Sequence, residues 1–126
     1  MTLHKLTSIG NAEEQLHVAI VELLRRTADP KVIFYHIPNG GKRGKASAAR
    51  LKAMGTLAGA PDLAFVLADG SPAFMELKSL TGRPSAGQNE FRARCISIGV
   101  PYVVVNSFDQ AVAVFKGWRV LSRRVA

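Results

Sequence analysis

Asp62, Glu76 and Lys78 stand on two neighbouring apolar runs separated by an Asp69-Gly70 turn signal, in the stretch 59–78, GAPDLAFVLADGSPAFMELK. A strand rich in Phe, Val and Leu has little use for a carboxylate and an ammonium two residues apart, because burying charges without partners is costly. The conflict between apolar pattern and charge marks a site. Strand side chains alternate faces, so Glu76 and Lys78 point the same way as Phe74, while Met75 and Leu77 take the other face. If Asp62 joins them, two carboxylates and a cation converge. Two hard oxygen donors with open positions suit Mg²⁺ or Mn²⁺, which keep waters and engage phosphate oxygens. A nearby lysine can orient or deprotonate an attacking water. The substrate that fits is a phosphodiester.

Register sets a condition on this site. In an antiparallel hairpin directly opposed residues share a face, and a two-residue turn at Asp69-Gly70 would pair Asp62 with Leu77, on the wrong side. A three-residue connection, Ala68-Asp69-Gly70 with Gly70 in the left-handed conformation, pairs Asp62 with Glu76 instead. The site therefore requires the odd loop or an equivalent bulge.

The elements that must position these residues can be read on either side. Residues 12–27 have helical periodicity, with Leu16, Ile20, Leu23 and Leu24 as an apolar stripe and Asn11 as N-cap. At about 100° per residue, Glu13 falls within the stripe, flanked by His17, Ile20 and Leu24, whereas Glu14 projects to the side. Glu13 is thus the inward acid of the pair, although a first-turn acid also simply favours the helix dipole. Asp29-Pro30 ends the helix, and residues 32–37 read as a short buried strand.

A Gly-rich loop with Lys42, Arg43 and Lys45 follows, then a short helical segment over 46–54 that adds Arg50 and Lys52. This basic patch can grip a nucleic-acid backbone without reading sequence; as a solvated loop it would need no function at all. Its glycines lack the spacing of a nucleotide phosphate loop. Beyond the hairpin, Ser85 caps a helix running to about residue 98, and Ser85 with Gln88 has capping-box spacing. Gln88 also shares the inward stripe with Phe91, Cys95 and Ile98, so its amide could equally serve the hairpin face; geometry leaves the two roles even. Arg83 and Arg92 flank it as further candidate DNA contacts. Residues 102–106 form an apolar run suited to a covered strand, and Ser107 caps a last short helix.

Composition bounds the class. A chain of 126 residues, 48% hydrophobic and 21% charged, suits one globular domain over 1–126. Seventeen Lys and Arg against 9 Asp and Glu give +8 and favour a polyanionic partner, or else a generally basic protein. The single cysteine, Cys95, excludes an internal disulfide and a CxxC zinc site; it reads as core and makes a reducing cytoplasm the expected compartment. No apolar run is long enough to span a membrane, and residues 1–11 do not read as a signal peptide.

Gly59-Ala60-Pro61-Asp62-Leu63, then Phe74-Met75-Glu76-Leu77-Lys78-Ser79, then Thr81-Gly82-Arg83-Pro84-Ser85 and Gln88 follow the order G-x-PD, E-L-K, T-G-R-x-S-x-x-Q. This order resembles the PD-(D/E)XK nuclease superfamily and, more narrowly, the virus-type replication-repair nuclease (VRR-NUC) domain, over about residues 12–118. PD…ExK alone is a weak pattern; the trailing motif makes it more specific. The resemblance implies a restriction-endonuclease-like α/β core with a central mixed sheet flanked by helices. It implies that the acid on the first helix, here Glu13, joins the metal site, and that Gln88 belongs to the active site. His17 stands where a glutamine is more usual.

Together these readings give a Mg²⁺- or Mn²⁺-dependent DNA endonuclease. Asp62 and Glu76 hold the metal with the main-chain carbonyl of Leu77, Glu13 completes the site directly or through a water, Lys78 positions or activates the attacking water, and Gln88 helps fix it or the phosphate. Small stand-alone members of the family occur in phages and bacteria and cut branched DNA such as Holliday junctions as homodimers. The resemblance extends that expectation, and a place in replication, recombination or repair, to this chain. The competing expectation is a non-catalytic nucleic-acid-binding domain in which Glu76 and Lys78 are a structural ion pair. A small-molecule phosphohydrolase is disfavoured by the basic excess and the lack of a nucleotide-binding motif.

Overall fold

The computed structural model describes residues 11–38 and 44–122. Asn11 has extended backbone and its side chain accepts the Glu14 N–H at 3.0 Å, which starts α1 (Ala12–Thr27) where the cap signal places it. Glu13 and Glu14 in its first turn and Arg25 and Arg26 in its last both favour the helix dipole.

Four strands, β1 (Ile33–His36), β2 (Leu63–Val66), β3 (Pro72–Leu77) and β4 (Tyr102–Val105), form one sheet in the order β1-β2-β3-β4. The first two pairings are antiparallel and β3–β4 is parallel. A parallel pair requires a crossover, which α3 (Ala86–Ser97) provides. Among the described residues the remaining helices are α2 (Lys45–Ala53) and α4 (Phe108–Gly117), the latter capped by Ser107. The result is the expected α/β arrangement, a mixed sheet flanked by helices.

The β2–β3 hairpin has the odd loop that the site demands. Leu67 N–H bonds Ser71 O and Gly70 N–H bonds Leu67 O, both at 2.8 Å, leaving residues 68–70 as a three-residue connection with Gly70 at φ +89°. Only glycine adopts that conformation without strain. Leu63 consequently pairs with Met75 and Ala64 with Phe74, so one further step sets Asp62 opposite Glu76.

Alternation then divides β3. Met75 and Leu77 enter the main core with Ile20, Leu24, Leu63, Phe65, Phe115 and Val120; full burial of each such large apolar side chain is worth about 1.5–3 kcal/mol. Phe74, on the other face, meets Phe91 of α3 edge-on at 5.4 Å between ring centroids, and Phe91 meets Tyr102 at 5.8 Å. Helices α1 and α4 thus serve one face and α3 the other.

Three expectations require correction. The segment 32–37 is not a buried strand: Val32 is buried, but Ile33 and Tyr35 are 59% and 53% exposed, because β1 is the sheet edge and pairs only with β2. Ile98 is 76% exposed, since it terminates α3 as its C-cap and so leaves the inward stripe that Phe91 and buried Cys95 keep. The second helix begins at Lys45, not Ala46, and has no buried residue. Lys42 and Arg43 lie outside the described residues. No helix among the described residues is long and apolar enough to cross a membrane.

Candidate active site

Asp62 lies one residue before β2, beyond the last ladder pair, Leu63 with Met75. Its Oδ2 accepts the Leu77 N–H at 2.7 Å, so a side chain satisfies a β3 donor that the β2 backbone no longer reaches. Its main-chain oxygen accepts the Ile37 N–H at 2.9 Å and lies 2.8 Å from His36 Nδ1. Three contacts from two strands therefore fix this residue.

The turn leading to Asp62 is fixed just as firmly. Gly59 has φ +83°, and a Cβ built there would overlap the backbone of Gly87 in the first turn of α3. This close approach seats the G-x-PD segment against the helix that carries Gln88.

Glu76 is 1% exposed, the one buried charged residue among those described. Tyr102 O–H donates to its Oε2 at 3.2 Å. The parallel register explains the contact, since Tyr102 pairs with Phe74, two residues before Glu76 on the same face. Burial, and then the hydrogen bond and charge of Asp62, push the Glu76 carboxyl up to about 9, against the pull of Lys78 and the Tyr102 hydroxyl. The Tyr102 phenol is itself raised, first by burial and then by Glu76, and so remains a donor.

Glu13 comes from α1, and its carboxylate completes a triad: Glu13, Asp62 and Glu76 each offer an oxygen, all within 4.8 Å of one another. Lys78 Nζ stands 4.0 Å from Glu13 Oε1, with side-chain exposures of 16% and 38%. Three carboxylates crowded about one point, one of them buried and driven towards protonation, form a donor set for a hard divalent cation, whose charge would favour the ionised form of Glu76.

The triad opens into a cleft of about 620 Å³ whose walls include Glu13, His17, His36, Asp62, Glu76 and Gln88. The N-caps of α1 and α3, Asn11 and Ser85, also line it, bringing the positive ends of two helix dipoles to the same place. Gln88 is a capping residue that also lines the cleft. Its Oε1 accepts the Ser85 N–H at 2.8 Å and its own N–H donates to Ser85 Oγ at 3.2 Å, closing the capping box, yet the residue faces the cleft.

His17 and His36 meet edge-to-face with centroids 4.5 Å apart. Burial, then the neighbouring His36, lower the His17 pKa against the opposing charge of Asp62. His36 and Tyr102 have no place in a reading of motifs; each becomes visible only when the strand register is known. Arg83 and Arg92 are exposed, as are Lys45, Arg50 and Lys52 on and around α2. None of these cations belongs to the acidic triad.

No family model and no curated protein matches the chain. Solved structures share its fold, two of them VRR_NUC domains. One, a "VRR_NUC domain protein", has a TM-score of 0.70 at 20% identity, over 86% of this chain and 88% of that one. Another, a "VRR_NUC domain", has a TM-score of 0.60 at 20% identity, over 86% of this chain and 99% of that one. At this identity the likeness is one of fold, and the fold is the one the motifs led us to expect.

Proposed function

On this VRR_NUC fold we propose a divalent-metal-dependent DNA endonuclease that hydrolyses phosphodiester bonds, selects branched DNA and acts as a homodimer. The observation that carries the reading is the convergence of Glu13, Asp62 and Glu76 within 4.8 Å in the wall of a cleft. Binding a polyanion gains nothing from three acids, so a non-catalytic binding domain leaves them unexplained.

Asp62 and Glu76 would hold Mg²⁺ or Mn²⁺, with the main-chain carbonyl of Leu77 and with Glu13 directly or through a water. When bound, such an ion would supply the charge that polarises the scissile phosphate and eases deprotonation of a water at the site. Asp62 is held rigidly by Leu77 N–H, so the triad need not reorganise as charge develops. Lys78 orients the attacking water from beside Glu13. Gln88 steadies that water or a phosphate oxygen with its amide while its carbonyl stays in the capping box. Water adds to phosphorus and gives up a proton to solvent, the bond to the leaving sugar oxygen breaks, and that oxygen takes up a proton from solvent. The exposed cations Lys45, Arg50, Lys52, Arg83 and Arg92, with Lys42 and Arg43, hold the backbone without reading bases.

Selection of branched DNA and the homodimer follow the family resemblance. Symmetric incision across a junction needs two sites, which a two-fold dimer provides. Labelled four-way junction, flap and linear duplex DNA, incubated with Mg²⁺, Mn²⁺ or EDTA, test the reading. The expected result is metal-dependent cutting with the junction or flap cut fastest; equal binding of all three with no cutting in either metal supports the binding domain instead.

A further inference from the structure

The acidic cleft adjoins an apolar cavity. Pro38 and Ala60 line both the cleft and a second cavity of about 520 Å³, whose other walls include Ile37, Leu51 and Leu57, with Thr56 contributing a hydroxyl. Backbone hydrogen bonds couple the two: Ile37 N–H donates to Asp62 O at 2.9 Å, and Ala60 N–H donates to Leu57 O at 3.3 Å. Leu57 is 47% and nearby Met54 75% exposed. Beside them α2 buries none of its own residues and presents Lys45, Arg50 and Lys52 to solvent.

Apolar surface left open to water beside an acidic centre and bordered by cations calls for a ligand that is anionic along one side and flat and apolar along another. A nucleotide strand has both properties. We propose that this cavity receives an unpaired nucleobase adjoining the scissile phosphate, an inference that rests on the nuclease reading above. The α2 cations would then take neighbouring phosphates while the base leaves the stack.

The walls are aliphatic and offer few donors or acceptors, so the cavity accepts any base without reading its edge. Extruding a base costs a few kcal/mol from an intact duplex and least where it is already mismatched or unpaired. Preference for distorted DNA then has a local origin in the pocket, in addition to any geometry imposed by a dimer.

The test begins by mapping the cut on a linear duplex and on the same duplex with one mismatch. 2-Aminopurine then replaces each base flanking the cut in turn, and its fluorescence is read on complex formation with Ca²⁺ in place of the cutting metal. The analogue is dim while stacked and bright when extruded into an aliphatic pocket. We expect a rise at one position beside the cut, loss of that rise in Leu57→Asp, and cleavage faster on the order of tenfold when that position is mismatched. Leu57 is half-exposed, so an aspartate there meets water, and the wild-type fluorescence is an independent readout. Wild type that cuts but brightens no flanking position, or Leu57→Asp that keeps the rise, overturns the base pocket and leaves the nuclease intact. Cutting of a four-way junction or flap with neither duplex cut, mismatched or not, overturns the base pocket and leaves the nuclease intact. Absence of cutting on every one of these DNAs with Mg²⁺ or Mn²⁺ overturns the nuclease reading and the pocket with it.

Discussion

Asp62 Oδ2 accepts the Leu77 N–H at 2.7 Å, so the residue that offers a ligand oxygen to the triad is also part of the hydrogen-bonding of β3. Asp62→Ala leaves that donor without its acceptor and should destabilise the fold by about 1–3 kcal/mol. Asp62→Asn keeps an acceptor and removes a charge facing Glu76, so it should fold about as well as wild type while losing metal affinity. Urea denaturation and Mn²⁺ titration of the two variants separate these effects.

Glu76 makes the metal-free protein pH-sensitive. Its folded pKa, about 9, lies above the ordinary glutamate value of 4.5, so the native state holds the proton more tightly. The stability this contributes is complete below 4.5 and is lost as pH rises through 9. His17 acts in the opposite sense: its lowered folded pKa removes stability as pH falls through 6.5, the ordinary histidine value. Between about pH 7 and about pH 9 the Glu76 effect should therefore stand alone. The melting temperature should fall across that range in EDTA, and both Mn²⁺ and Glu76→Gln should flatten the slope. A flat profile for metal-free wild type would count against the buried carboxyl pair.

Gly59 positions Asp62 from three residues away. An alanine there must hold φ +83° and meet the Gly87 backbone, so the turn or the start of α3 has to move. Gly59→Ala should cost at least about 1–3 kcal/mol and weaken Mn²⁺ binding as well. Calorimetric melting and Mn²⁺ titration would detect both losses; unchanged affinity would mean that this packing does not govern the site.

Gln88 calls for a variant that separates capping from function. Glutamate also closes a capping box, so Gln88→Glu should retain stability within about 0.5 kcal/mol. It also adds an acid to a cleft already lined by four, Glu13, Glu14, Asp62 and Glu76, and should slow cleavage. Cleavage at the wild-type rate would leave Gln88 only its helix-capping role.

The hairpin was legible because its parts agree: a glycine placed for the left-handed turn, alternating faces and two acids that must share one side all select the same register. The first helix was legible from Asn11 and its apolar stripe. Exposure of Ile33 and Tyr35 was not, since a four-residue strand reads the same at an edge as at the centre and only the sheet order distinguishes them. Tyr102 was read as part of an apolar run because its hydroxyl acquires a partner only through the parallel pairing of β3 and β4. His36 likewise comes beside Asp62 only once β1 has docked. Local pattern encoded the turn and caps; the cross-strand partners of the acids depended on tertiary register.

The central claim is that the acidic triad binds a divalent metal to cut DNA with the help of Lys78. Its most direct test is the single-turnover cleavage rate of a labelled branched DNA by wild type, Glu76→Gln and Lys78→Ala, with Mn²⁺ and with EDTA, beside calorimetric Mn²⁺ titration of each protein. Wild type should cut only with metal, Glu76→Gln should lose both binding and cutting, and Lys78→Ala should bind Mn²⁺ normally while cutting slower by about 10²–10⁴-fold. Cutting that persists in EDTA, or in Glu76→Gln at the wild-type rate, would contradict the account.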